Sequence, residues 1–135
     1  MIKISAIDHI VLRVVDVEAM IAFYTTVLGC SLERSEPEQG LYQLRAGSAL
    51  IDLVAVHLPL GQQGGCAPGK EGRNLDHFCL RIESCDEASL RAHLRNLGVE
   101  AGPSTQRYGA EGRGPSIYIG DPEGNIIEFK GPVKS

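Results

Sequence analysis

Apolar and polar positions along the chain follow two different rhythms, and they do so twice. Residues of about 6 to 14 and, further on, about 30 to 36, 40 to 47 and 49 to 57 carry Val, Ile and Leu in the alternating or continuous runs of strands. Between the first two lies a stretch of about 16 to 28 whose Met20, Phe23, Tyr24, Val27 and Leu28 fall on one helical stripe, with Asp16 placed to cap its start and Gly29 to end it. The second half repeats the order. A strand is expected over about 75 to 82, a helix over about 85 to 97, and strands over about 99 to 104, 115 to 120 and 126 to 131. Ser84 and Glu87 read as a capping box, Leu90, Leu94 and Leu97 as the buried stripe, and Gly98 as the stop. Asp121-Pro122-Glu123-Gly124 has the residues of a type I turn, which joins the last two strands as a hairpin. The plan is βαβββ, twice.

The repeat is visible in the letters themselves. Asp8-His9-Ile10-Val11-Leu12-Arg13 returns as Asp76-His77-Phe78-Cys79-Leu80-Arg81, 68 residues on, and the Leu28-Gly29 that closes the first helix returns as Leu97-Gly98. Leu50-Ile51-Asp52-Leu53 is echoed by Ile126-Ile127-Glu128-Phe129, an apolar run broken by one carboxylate. The expected fold is therefore α+β: two βαβββ modules related by a pseudo-two-fold, their curved mixed sheet enclosing a cleft. Module one covers about 6 to 57 and module two about 75 to 131 of a single domain spanning 1 to 135. Residues 58 to 74, rich in Gly and Pro, read as a connector or mobile flap, and Gln106 to Pro115 as an irregular loop carrying Arg107, Tyr108, Glu111 and Arg113.

Composition narrows the function. With 17 acidic against 13 basic side chains the net charge is −4, which opposes non-specific binding to nucleic acid or to an anionic membrane. No apolar run approaches the roughly 20 residues of a bilayer span, and the N-terminus lacks the pattern of a secretory signal, so a cytoplasmic protein is expected. Cys30, Cys66, Cys79 and Cys85 have no Cys-x-x-Cys spacing and read as thiols. Nor is there a Walker loop, a dinucleotide fingerprint or a Gly-x-Ser-x-Gly elbow.

Strand parity then gathers chemistry on one face. His9, Val11 and Arg13 oppose Ile10, Leu12 and Val14; His77, Cys79 and Arg81 oppose Phe78, Leu80 and Ile82; Glu128 opposes Ile127 and Phe129, and Asp52 takes the matching place in the first half. Two imidazoles and two carboxylates on the non-helix face are a donor set for Zn, Mn, Fe, Co or Ni with positions left open for substrate. A single such His is more often a hydrogen-bonded core residue; the recurrence is what favours a ligand. His93 reads as a surface residue, His57 has no counterpart in the second half, and Cys79 reads as a small buried hydrophobe rather than a nucleophile.

These motifs, with Phe23-Tyr24 and the closing Asp121 to Phe129, resemble the vicinal oxygen chelate superfamily, which includes glyoxalase I, fosfomycin-resistance thiol transferases, extradiol dioxygenases and bleomycin-binding proteins. The resemblance implies His9, His77 and Glu128 as ligands of a divalent metal ion. It puts Asp52 where the family has a fourth ligand, although Asp is one methylene shorter than the usual Glu. It further implies a homodimer with sites within or across chains, and a glyoxalase-type lyase or isomerase in which Glu128, or Asp52, removes a proton from a small oxygen-rich substrate. Arg13, Arg81, Arg113 and Tyr118 are the residues placed to orient an anionic substrate. The competing readings are an Fe(II) dioxygenase, thiol transfer to an epoxide, and a drug- or metabolite-binding module without catalysis.

Overall fold

In the computed structural model, which describes residues 1–83 and 86–133, the chain divides into two compact units, one ending at Asn74 and the other beginning at Leu75. Each is a βαβββ module, and the fold class is α+β, as the periodicity predicts.

Module one runs β1 (His9–Val14), α1 (Val17–Thr26), β2 (Ser31–Glu36), β3 (Leu41–Ala46) and β4 (Ala49–Ala55), in the sheet order β1-β4-β3-β2. β1 lies parallel to β4, with His9 opposite Leu50 and Val11 opposite Asp52; β3 is antiparallel to both β4 and β2. Asp16 caps α1 by accepting from the backbone N–H of Ala19, and the helix sets Met20 and Tyr24, both fully buried, against the sheet face that carries Leu12, Val14, Leu44, Ile51 and Leu53. Side chains of that size contribute about 1.5 to 3 kcal/mol each when buried. The opposite face keeps His9, Val11 and Arg13, as alternation requires.

A short helix α2 (Pro59–Gln62) follows, then turns closed by a bridge between Gly69 and Gly72. This connector is tied down rather than loose. The Arg13 guanidinium donates to the carbonyls of Gly61, Gly65 and Cys66 at 2.6 to 3.1 Å. The Asn74 side chain meanwhile brackets the Arg13 backbone, accepting from its N–H and donating to its carbonyl, both at 3.0 Å.

Module two runs β5 (Phe78–Arg81), α3 (Glu87–Asn96), β6 (Thr105–Gly109), β7 (Gly112–Gly120) and β8 (Ile126–Lys130), in the matching order β5-β8-β7-β6. Its core is Phe78, Leu94, Ile117, Ile119, Ile127 and Phe129. Three expectations change here. The cap of α3 is Asp86, which accepts from the N–H and the hydroxyl of Ser89; Ser84 of the expected capping box lies outside the described residues. Leu97 is 40% exposed and does not extend the stripe of Leu94. Finally, the expected strand at 99 to 104 and the expected loop at 106 to 115 exchange roles: the latter is the β6–β7 hairpin, paired from Thr105 opposite Ser116 to Gly109 opposite Gly112. An edge strand is held by its ladder and needs no apolar alternation, so exposed Gln106, Arg107 and Tyr108 carry no strand signal. Both helices end ahead of a glycine in the left-handed region, Gly29 at φ +74° and Gly98 at φ +73°, where a Cβ would be strained.

The turn between β7 and β8 follows the sequence pattern closely. Gly124 N–H closes onto Asp121 carbonyl at 3.0 Å, and the buried Asp121 carboxylate collects the N–H groups of Glu123 and Asn125 and the Asn125 amide.

Candidate metal-binding and substrate-binding residues

On the non-helix face of module two, β5 ends its approach with His77 and β8 carries Glu128, opposite Cys79 in the parallel ladder. His77 Nε2 lies 3.2 Å from Glu128 Oε1. The other imidazole nitrogen, Nδ1, is 2.6 Å from Asp76 Oδ2. An Nδ1–H donating to that carboxylate leaves the Nε2 lone pair facing a carboxylate oxygen, a pairing that is favourable with a cation between them: a proton on Nε2 or a metal ion. Two donors bound at about 2.1 Å to one ion, at tetrahedral or octahedral angles, are about 3.0 to 3.4 Å apart, so the observed spacing fits two adjacent ligands.

Glu128 is buried, which favours its neutral form, yet its pKa lies below the ordinary carboxyl value because hydrogen bonds from Ser116 and Tyr118, the charge of His77 and the Cys79 thiol outweigh burial. The Ser116 hydroxyl donates to Glu128 Oε2 at 2.6 Å. Tyr118, opposite Glu128 on β7, meets the His77 ring edge-to-face at 5.6 Å. Burial and the Glu128 carboxylate push the Tyr118 phenol up, against a hydrogen bond with Arg107. Cys79 is exposed and not the small buried hydrophobe expected, since it stands on the sheet face away from the helix; partial desolvation and Glu128 push its thiol up to about 11, so it is protonated at neutral pH.

Module one repeats the arrangement with different residues. His9 Nδ1 is 2.7 Å from Asp8 Oδ2, and this hydrogen bond, followed by the charge of Asp52, raises its imidazole above the usual value. Asp52 stands opposite Val11 as Glu128 stands opposite Cys79, so each carboxylate has the same register relation to its histidine. Gln43 occupies the place of Tyr118, and its amide donates to both Asp52 oxygens at 3.2 and 3.3 Å. Among the described residues, no three His, Cys, Asp or Glu side chains are grouped to hold an ion.

Residues 6–129 match the family described as the Glyoxalase/Bleomycin resistance protein/Dioxygenase superfamily. The chain belongs to that superfamily. Within it, the chain is 31% identical over 127 residues to virulence protein STM3117 of Salmonella typhimurium, spanning 93% of this chain and 83% of the relative. The crystal structure of that protein matches with a TM-score of 0.75 at 28% identity, covering 98% of this chain and 100% of the other. A lactoylglutathione lyase of Salmonella typhimurium is 32% identical over 125 residues, 90% of this chain and 88% of the relative. Metallothiol transferase FosB of Bacillus licheniformis is 26% identical over 128 residues, 94% of this chain and 75% of the relative.

The residues expected to orient substrate in this superfamily member divide. Tyr118 stands in the donor cluster. Arg81 shares the face of His77 but is paired with Glu111 at 2.8 Å. Arg13 is spent on the connector, four of its hydrogen bonds going to backbone carbonyls, so it is a clasp and not an anion receptor. Arg113 is on the wrong face: on β7 it has the parity of buried Ile117 and Ile119, opposite to that of Ser116 and Tyr118. Arg107, opposite Gly114 on β6, is the arginine that shares the Glu128 face. Sequence reasoning placed Arg107 only in a loop and gave no part to Ser116, Gln43, Asp8 or Asp76. For Asp8 and Asp76 a signal existed, since Asp precedes His in both copies of the repeat. His93 and His57 are exposed. Among the described residues no helix is long and apolar enough to cross a membrane.

Proposed function

We propose that the chain is a metal-dependent lyase or isomerase of glyoxalase type, acting on a small oxygen-rich substrate, with His9, His77 and Glu128 as ligands and Asp52 as the fourth donor. The ligands come from both modules, of one chain or of two chains paired as a homodimer. The observation that carries this reading is the 3.2 Å pair of His77 Nε2 and Glu128 Oε1 with the far side of the imidazole held by Asp76. The Asp8–His9 pair repeats that preparation. The likeness to a lactoylglutathione lyase and to a metallothiol transferase supports it.

When bound, a divalent ion supplies Lewis-acid polarisation of a substrate carbonyl, worth several kcal/mol in the transition state. The protein's own contribution is orientation and proton transfer. Asp8 and Asp76 fix the tautomer in which Nε2 is the donor atom, and Ser116 steadies the remaining oxygen of Glu128. A carboxylate of lowered pKa is a good ligand and a weak base. Glu128 would still serve as the proton acceptor, or Asp52, which the Gln43 amide orients through both carboxylate oxygens, if it leaves the ion. Thiol transfer is the second reading, favoured by the likeness to FosB.

The test is metal content by mass spectrometry of the protein purified without added metal, beside His9→Ala and Glu128→Gln. Stoichiometric metal in the parent, lost in both variants, with hemithioacetal isomerisation restored by one divalent ion, is the expected result. A parent that retains no metal, or variants that retain all of it, would refute the assignment.

A further inference from the structure

Beside the donor pair, module two keeps polar groups that the fold itself does not require. Lys130, two residues along β8 from Glu128 and on the same face, is 8% exposed. Among the described residues its ammonium has no hydrogen bond or ion pair. It lies over the β6–β7 hairpin, where a Cβ built on Gly109 or Gly114 would fall 3.7 and 3.0 Å from Nζ. The same row of the sheet runs Thr105, Ser116, Lys130 and Arg81 across four strands in register. Thr105 Oγ1 is buried and has no hydrogen-bond partner among the described residues. Native interiors rarely leave a buried hydroxyl unmatched; with an ammonium two places along its row that no described group pairs, a ligand that supplies acceptors would satisfy both.

Module one makes the contrast. Where module two has Ser116 and Lys130, the equivalent positions of the equivalent ladder are Leu41 and Val54, an apolar pair that builds the same sheet. The polar row is therefore an addition to the fold. Its neighbours are mostly cationic: Arg107 lies one row on, and the carboxylates in reach are Glu111, already paired with Arg81, and Glu128, held by Ser116.

We propose that Lys130 and Thr105, with Arg107 at the rim, form an oxyanion subsite, and that the substrate carries a carboxylate, phosphonate or phosphate group about 7 Å from the atoms that meet Glu128. The subsite stands on module two alone; its part in choosing the substrate rests on the reading given under Proposed function. The ammonium supplies donors only and the Thr105 hydroxyl has a donor to give beside it; an oxyanion is the ligand that takes both.

Calorimetric titration of the full chain, chelator-treated and zinc-loaded, with inorganic phosphate and with acetate, tests this. Saturable binding is expected for at least one anion, phosphate if the group is tetrahedral and acetate if it is planar. It should weaken at least about tenfold in Lys130→Met, weaken in Thr105→Val, and stay within about twofold in Lys130→Arg. Equal binding by the folded parent and Lys130→Met, or no saturable binding of either anion at about 10 mM, would overturn the proposal. His9→Ala separates the two readings. If it and the parent bind phosphate alike but no form holds metal, the subsite stands and the metal assignment falls. If metal binds as expected while Lys130→Met changes nothing, the subsite alone falls.

Discussion

Ser116 and Asp8 illustrate how much of the candidate site depends on residues that do not ligate. Removing the Ser116 hydroxyl leaves a buried carboxylate oxygen without its 2.6 Å donor. Ser116→Ala should raise the Glu128 pKa toward its ordinary 4.5 and weaken metal affinity about 10- to 100-fold, measured by competition with a chelator. Because the folded value for Glu128 is depressed, its contribution to stability is present above pH 4.5 and is lost as pH falls through the folded value. Urea melts of the metal-free protein should therefore show a steeper acid loss in the parent than in Glu128→Gln. His9 has the opposite sign. Its raised value means that its contribution is present below pH 6.5 and lost as pH rises through the folded value. Asp8→Asn removes the largest cause of that shift, and proton NMR titration of metal-free protein should find the His9 imidazole closer to 6.5.

The elements are held by single residues whose effects are local and separable. Asp121 is buried and accepts three hydrogen bonds within the β7–β8 turn, so Asp121→Ala should cost about 2 to 4 kcal/mol in denaturant unfolding. Gly61 sits so close to β4 that a built Cβ would lie 1.9 Å from the Ala55 carbonyl oxygen; Gly61→Ala must displace α2 from the sheet. Arg13→Ala should release the connector without unfolding module one, seen as faster limited proteolysis between residues 62 and 73 with an unchanged helix signal. At this scale the sequence was legible wherever burial drives the element. β1, β4, β5 and β8 each alternate or run apolar, and α1 announces its stripe and its cap. It was illegible along β6, whose exposed residues owe their extension to hydrogen bonds with β7, and at Leu97, whose spacing fits the stripe while its place at the end of α3 leaves it in solvent.

For the molecule as a whole, the metal reading makes a thermodynamic demand. A ligand that binds only the native chain stabilises it by mass action, so zinc at about 100 times its dissociation constant should add about 2.7 kcal/mol to the parent, with little gain in His77→Ala, measured as a rise in Tm. The βαβββ repeat, the family, and, within each module, the common face of His9 with Asp52 and of His77 with Glu128 were all readable in one dimension, because strand parity and duplicated motifs survive without coordinates. The surroundings of each arginine were not. Arg13 and Arg81 occupy equivalent positions in the repeat, yet one clasps the connector and the other pairs with Glu111. The hairpin register puts Arg107, and not Arg113, on the face of Glu128. The row that joins Lys130 to Thr105 spans three strands and 25 residues of chain. Periodicity reports which face of its own element a side chain takes, since that is a property of the backbone next to it; what stands opposite, and whether its polar atoms are already satisfied, is decided by cross-strand register and by packing between segments far apart in the chain.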